Sequence, residues 1–300
     1  MFNQNQIRLF VTGIGSLGLL YITYKIYFKK THDEIIEWRR EEDVDNTKND
    51  NTTSDDNHNF MYDLVIIGGG SGGLSAAKQA SNFPDKKVAV LDFVKPTKNG
   101  THWGIGGTCV NVGCIPKKIF HTAAILGEQI KDQQAFGWNI VETPQHDWSH
   151  LMKTVHNYIK KMNSGYEEQL KIKNIKYFNA LGSFVSKNTI KLTYKDKKTH
   201  IITSKDIIIS VGGRPTELDC IGSNHSITSD DLFWLDKHPG KILIIGASYV
   251  ALECAGFLAK LGCDVTILIR SIALRGFDQD CSKRILHNLE TNGITILHSV

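Results

Sequence analysis

Two cysteines stand five positions apart in the run Gly107-Thr108-Cys109-Val110-Asn111-Val112-Gly113-Cys114-Ile115-Pro116-Lys117-Lys118. Residues of this kind at this spacing suit thiol–disulfide chemistry. A Gly-rich segment precedes them and a helix-forming stretch follows. If Cys114 opens that helix, its thiolate sits where backbone N–H groups and the helix dipole stabilise negative charge. A partner thiol just over one helical turn away closes a disulfide only where the chain bends, which Asn111 and Gly113 allow. Lys117 and Lys118 add positive charge that would lower a thiol pKa further. The competing reading is a pair of buried packing thiols. Two nucleotide-binding signatures elsewhere in the chain weigh against it.

The first signature begins with the apolar strand Asp63-Leu64-Val65-Ile66-Ile67, of the kind buried on both faces. Gly68-Gly69-Gly70-Ser71-Gly72-Gly73 follows at once, then an Ala-rich helical segment through Ala80. Gly68 permits a tight turn, and Gly70 lets the backbone approach a pyrophosphate. Gly73 lets helix and strand pack closely, and Ser71 and Gly72 open the helix on which the phosphates rest. A second strand, Lys87 to Leu91, ends at Asp92, close to the ~20-residue offset of an acid that binds ribose hydroxyls.

The second signature starts with Lys241-Ile242-Leu243-Ile244-Ile245, again a buried-strand pattern. Its turn is Gly246-Ala247-Ser248-Tyr249-Val250-Ala251, with small Ser248 and Ala251 at the second and third glycine positions. The next strand, Val265 to Ile269, leads into Arg270, with Arg275 soon after and no acid where ribose hydroxyls would be read. Two guanidinium groups there suit a 2′-phosphate, which argues for NADPH over NADH; the competing reading is a solvated basic loop.

The remaining elements position these parts. Three hundred residues suggest about two domains. A net charge of +4 is too small to argue for nucleic acid. Six cysteines in this length are no disulfide scaffold, and Cys220, Cys254, Cys263 and Cys281 read as packing thiols in a reducing compartment. Asp147 is placed to cap a helix running toward Lys171, with Trp148, Leu151, Met152 and Val155 on one apolar stripe. Short alternating strands are expected around Tyr177, Phe184, Ile190 and Ile201, and a further strand over Asp206–Val211. His121, His150 and His156 lack metal-site spacing and read as structural, so no metal site is assigned.

The cysteine run resembles the redox-active segment of the pyridine nucleotide-disulfide oxidoreductases. The wider match, from about Met61 to the last residue, is to the high-molecular-weight thioredoxin reductases. Glutathione reductases share the cysteine run. Leu91-Asp92-Phe93-Val94-Lys95-Pro96-Thr97 with Gly100-Thr101-His102-Trp103-Gly104, and Ser271-Ile272-Ala273-Leu274-Arg275-Gly276-Phe277-Asp278-Gln279, favour the thioredoxin reductases. The resemblance implies an α/β chain with two Rossmann-like units, FAD in the first and NADPH in an incomplete second. It implies electron flow from NADPH through FAD and a Cys109–Cys114 disulfide to thioredoxin. Cys114 would lie next to the flavin and Cys109 would exchange with the substrate disulfide. Lys117 would stand near the reactive flavin nitrogen, paired with Glu253, while Tyr249 would cover the nicotinamide pocket beside Val250. Gly107, Thr108 and Lys118 join the cofactor-binding set, as do Gly212 and Gly213, the returning glycine turn. Val211 stands where many relatives have Thr. Alternatives from the same reading are a glutathione-disulfide reductase, a thioredoxin–glutathione reductase, or a truncated nucleotide-binding protein without catalysis.

The expected organisation is a hydrophobic anchor or targeting segment at residues 1–30, a polar linker at 31–60, an FAD-binding domain at 61–238 and a partial NADPH-binding domain at 239–300. The run Leu9–Phe28 is broken only by Lys25 and flanked by Arg8, Lys29 and Lys30, which suits one tilted membrane span with the following chain in the cytosol. An outer mitochondrial or endoplasmic reticulum membrane fits. Because the first acid is Asp33, a mitochondrial matrix targeting sequence is the alternative. The polar stretch Asp33–Asn59 reads as a tether. Relatives continue beyond the position of Val300 with a dimer-interface domain that supplies a His–Glu base and, in thioredoxin reductases, a C-terminal redox pair. A homodimer is therefore expected for the full-length form, and a product of only this length should not turn over.

Overall fold

The computed structural model describes residues 59–139 and 145–298. The expected anchor and nearly all of the expected linker lie outside the described residues. Among the described residues, no helix is long and apolar enough to cross a membrane. Residues 60–300 form one compact unit, which holds both nucleotide-type sheets.

The first sheet has the order β3-β2-β1-β6-β5-β4. Strands β1 (Tyr62–Ile67), β2 (Val88–Asp92) and β3 (Lys176–Asn179) run parallel, as does β6 (Thr199–Ile209) beside β1. β4 (Leu181–Ser186) and β5 (Thr189–Thr193) pair antiparallel, and β5 pairs antiparallel with the first half of β6. The expectation of separate strands at Ile201 and over Asp206–Val211 is corrected here. Lys205 and Asp206 lie inside one continuous strand, whose two halves pair with different partners and whose end falls before Val211. Ile67 aligns with both Leu91 and Ile209, so Gly68, Asp92 and Ser210 emerge together at the carboxyl edge of the sheet. Open α/β sheets bind ligands at that edge.

Both faces of β1 and β2 are covered. Helix α1 (Ser71–Ala80) presses Leu74 and Ala77 against Ile66, Val88 and Val90, joined by Ile105 and Leu170. Ile190, Leu192 and Ile202 of the antiparallel strands close over Val65, Ile67, Ala89 and Leu91 on the other side.

Short helix α2 (Gly107–Val112) and long helix α3 (Cys114–Asp132) follow the first unit. Helix α4 (Trp148–Ile172) starts at Asp147, whose side chain accepts from the His150 N–H at 3.0 Å. Its stripe Trp148, Leu151, Met152, Val155 and Ile159 is buried. A four-residue helix, α5 (Ser229–Leu232), precedes the second sheet, which has the order β7-β8-β9 and is parallel: β7 (Lys241–Ile245), β8 (Asp264–Ile269) and β9 (Thr295–His298). Helices α6 (Tyr249–Lys260) and α7 (Gln279–Thr291) complete it. Phe120 of α3 meets Phe257 of α6 with ring centres 5.1 Å apart and Phe233 at 5.6 Å, joining the sheet to the cysteine segment through one core.

The pattern of β7 departs from the expectation of burial on both faces. Leu243 and Ile245 are 56% and 49% exposed, because only the Ile242 and Ile244 side of the strand meets the core. Cys254 and Cys263 pack inside as expected, whereas Cys220 and Cys281 are exposed.

Candidate functional site

The site is assembled where the carboxyl edge of the first sheet meets α2 and α3. At Gly68, φ is +116° and an added Cβ would stand 2.2 Å from the Ser210 carbonyl oxygen; at Gly73 it would stand 1.8 Å from the Gly68 carbonyl oxygen. No side chain larger than hydrogen fits either place. Gly70 caps α1 without a side-chain bond, so the first N–H groups of the helix remain as anion donors. Gly69, which the fingerprint reading passed over, donates its N–H to Asp92 Oδ1 at 3.0 Å. Burial raises the Asp92 carboxyl pKa, and the Gly69 and Phe93 N–H groups work against that rise. An uncapped helix start, a turn stripped of Cβ atoms and an acid at the next strand end form a cradle that fits the adenosine diphosphate half of FAD. Ser71 and Gly72 are exposed on the first turn of α1, with nothing within 4 Å of an added Gly72 Cβ.

The cysteine segment leans on that turn. The Gly106 N–H donates to the Gly69 carbonyl at 2.9 Å, and an added Cβ on Gly107 would stand 2.7 Å from Gly70 Cα. Cys114 is the first residue of α3, as its sequence suggests. Gly113 makes the bend: an added Cβ there would stand 2.8 Å from the Thr108 carbonyl oxygen. Cys109 is half-buried and Cys114 exposed, and the two lie close enough for Cys114 to act on the Cys109 thiol. The Cys109 thiol sits in a different setting from the helix start. Burial, reinforced by the Cys114 thiol, pushes it up to about 11, while the Cys114 N–H and Lys117 pull weakly the other way.

Lys117, one turn into α3, reaches Glu253 of α6 at 2.5 Å and lies 5.1 Å from the centre of the Tyr249 ring. Burial works against the ammonium, but the Glu253 contact outweighs it and raises the lysine pKa. Burial likewise raises the Tyr249 phenol. Cys109, Cys114, Lys117, Tyr249 and Glu253 are thus brought together, with α6 bringing the second unit to the redox segment. Lys118 faces outward, its carbonyl accepting from the Thr122 hydroxyl at 2.8 Å. Gly212 (φ +66°) and Gly213 are exposed, and Val211 is 66% exposed.

In the second unit Gly246 takes φ +112° with nothing within 4 Å of an added Cβ, and Ser248 caps α6 without a side-chain bond. Arg270 follows the central strand β8 directly and is exposed; Arg275 donates to the Ser271 hydroxyl at 2.6 Å. An open glycine turn, a helix N-terminus and two guanidinium groups at the neighbouring strand end fit a nicotinamide dinucleotide carrying a 2′-phosphate.

Two further groups escaped the sequence reading. Arg214 stacks 4.7 Å above the Trp103 ring, pairs with buried Asp230 at 2.8 Å and donates to the Lys95 carbonyl at 2.9 Å. Asp231 accepts from Thr97 Oγ1 at 2.6 Å and Asn99 at 3.1 Å, so the long loop before the cysteines is latched to α5. Asn111 is fully buried beside the cysteines and bonded to Asn163 of α4 at 2.9 Å. Asn163 continues the stripe of Val155 and Ile159 toward Tyr166 and Leu170. A polar residue on an apolar stripe was the available signal. His156 is structural, bonding the Phe233 carbonyl at 2.9 Å and stacking on Trp234.

Comparison with known proteins agrees with this geometry. Residues 62–300 match the family described as pyridine nucleotide-disulphide oxidoreductase. The chain is 48% identical over 238 residues to thioredoxin reductase SEP1 of Emiliania huxleyi, an alignment covering 79% of this chain and 48% of that protein. The chain spans about half the length of the curated relative it matches.

Proposed function

The chain belongs to the pyridine nucleotide-disulphide oxidoreductases, and we propose that it works as an NADPH-dependent flavoprotein disulfide reductase of the thioredoxin reductase type. The observation that carries this reading is α3. It begins at Cys114 and, one turn later, bonds Glu253 of the second nucleotide-type unit through Lys117. Similarity to a thioredoxin reductase supports thioredoxin as the disulfide substrate. The division into an FAD-binding domain at 61–238 and an NADPH-binding domain at 239–300 belongs to this proposal. So do a homodimer and a membrane anchor within residues 1–30 that holds the catalytic part in the cytosol.

The Gly68–Gly73 turn, the α1 N-terminus and Asp92 would hold FAD, which when bound would supply two-electron chemistry between nicotinamide and disulfide. Arg270 and Arg275 would hold the 2′-phosphate of NADPH, and Tyr249 would cover the place of the nicotinamide until the dinucleotide arrives. Glu253 keeps Lys117 charged and in place, so a fixed positive charge faces the reacting region. The Cys109 thiol, with its pKa pushed up to about 11, must give up a proton to a base before it attacks. Its sulfur then bonds one sulfur of the substrate disulfide, and the other leaves as a thiolate. Cys114 attacks Cys109 in the resulting mixed disulfide, releasing the second substrate thiol and forming the Cys109–Cys114 bond.

The test has two parts. The intact mass of the native protein from its source defines the polypeptide to assay. That protein, loaded with FAD, should oxidise NADPH in the presence of oxidised thioredoxin, and the Cys109→Ser variant should not. Preference for glutathione disulfide would move the assignment to glutathione reductase. Nucleotide binding with an inert Cys109–Cys114 pair would remove the catalytic reading.

A further inference from the structure

We propose that Asn163 is a positioning residue for the redox pair, acting through Asn111 to fix the tilt of α2 and with it the approach of Cys109 to Cys114. The inference rests on reading those two cysteines as the redox pair. Helix α2 has six residues, too few to hold its own conformation. Its placement must come from outside, and the amides of buried Asn111 and half-buried Asn163 supply it. Asn163 Nδ2 donates to the Ile105 carbonyl at 2.5 Å and to Asn111 Oδ1 at 2.9 Å. Asn111, two positions after Cys109, donates in turn to the Gly107 carbonyl at 2.8 Å and the Gly104 carbonyl at 3.2 Å.

The Nδ2 end of the Asn111 amide is therefore spent on the segment that leads into the cysteines, and its Oδ1 end on Asn163. Neither residue can be replaced by an apolar one without orphaning partly buried carbonyls. The same segment is tied on its other side to the dinucleotide turn through Gly106 and Gly69. An added Cβ on Gly104 would stand 3.0 Å from the Asn163 amide, so the side chain closes directly over the backbone it holds. A helix whose sequence otherwise serves the core thus reaches across to set thiol geometry. Fixing α2 raises the effective concentration of one thiol for the other.

The test uses the full chain carrying Asn163→Asp, which keeps the shape but loses both donated bonds. Asn163→Ser, which leaves room for a water, serves if the first variant does not fold. The protein is equilibrated in glutathione buffers, quenched, and the Cys109–Cys114 disulfide is quantified by mass spectrometry. The disulfide's equilibrium constant should fall about tenfold, the size expected for losing a buried hydrogen bond. Reduced Cys109 should alkylate faster relative to Cys114. Asn111→Asp should give the same shift, and the double variant no more than either alone, because both act through one bridge. A lower melting temperature with disulfide equilibrium and alkylation ratio unchanged within about twofold would reduce Asn163 to a structural residue. Additive shifts in the double variant would likewise overturn the relay. If the wild-type chain forms no Cys109–Cys114 disulfide in any buffer, the functional reading itself falls.

Discussion

Gly68 and Gly246 begin the two strand–turn–helix units at almost the same backbone angle, φ +116° and +112°, yet their surroundings differ completely. An added Cβ at Gly68 would press on the Ser210 backbone, whereas one at Gly246 would meet nothing within 4 Å. The first turn is wedged between the edge of its sheet, the Asp92 carboxylate and the redox segment. The second is a free lip on a sheet with one face covered. Similar local sequence logic therefore produces a rigid seat in the first turn and an open one in the second.

The sharpest way to break this comparison is to make the same change in both turns. Gly68→Ala forces backbone apart and should cost at least about 3 kcal/mol, enough to unfold much of the first unit. Gly246→Ala meets only the backbone-angle penalty and should cost about 1–3 kcal/mol. Urea denaturation followed by far-UV circular dichroism measures both. Equal losses would mean that crowding at Gly68 is relieved by small backbone shifts, and the rigid-seat idea would fail.

Lys117→Met and Glu253→Gln probe the contact between the units. The Glu253 side chain is 54% exposed, so the pair contributes about 1 kcal/mol or less to stability. Turnover should nevertheless fall about a hundredfold, as for loss of a preorganised charge. A large stability loss with intact turnover would make the pair a strut between α3 and α6.

How much of this was legible depended on whether a feature is local. The Gly68–Gly73 turn, Asp92 and the start of α3 at Cys114 follow from glycine spacing and strand length, because each is dictated by neighbours in sequence. The continuity of β6 was not legible, since Lys205 and Asp206 look like a break until β1 is seen beside them. The one-sided burial of β7 was hidden for the same reason: an all-apolar strand reads as doubly buried whatever covers it. Asn163 and Arg214 act at distances of 52 and 119 positions, on Asn111 and Lys95, and no short-range pattern announces such partners. The raised Cys109 pKa is a burial effect, and burial is tertiary.

Alkaline titration compares thiols in the two regions. Burial pushes Cys254 up to about 12 and Cys263 up to about 11, and Cys109 also stands at about 11. Each holds its proton in the folded state while the unfolded chain ionises near the ordinary value of 9.0. The unfolded state then binds fewer protons, so stability falls as pH rises from about 9 and levels off above about 12. Cys254→Ala should flatten this slope more than Cys109→Ser, because the Cys114 N–H and Lys117 partly relieve Cys109. Urea midpoints between pH 8 and pH 11 test the order; a steeper relief from Cys109→Ser would reverse it.

The smallest expected change in stability, and the most selective in function, lies at the open lip. Arg270→Ala and Arg275→Ala remove exposed side chains, so unfolding free energies should stay within about 0.5 kcal/mol of the wild type. Binding is a different matter. A guanidinium–phosphate bond is charge-assisted, and its loss should weaken NADPH about tenfold or more at each position. NADH, which lacks the 2′-phosphate, should bind either variant as it binds the wild type, and the discrimination between the two dinucleotides should collapse in the double variant. Arg275 already spends one donor on Ser271, so its variant should lose less than Arg270→Ala. Titrations with both dinucleotides at two salt concentrations decide the matter, because the phosphate contact weakens with salt and the rest of the turn does not. If NADPH and NADH weaken together, the arginines act on the shared part of the dinucleotide, and phosphate selectivity must be sought elsewhere on the lip.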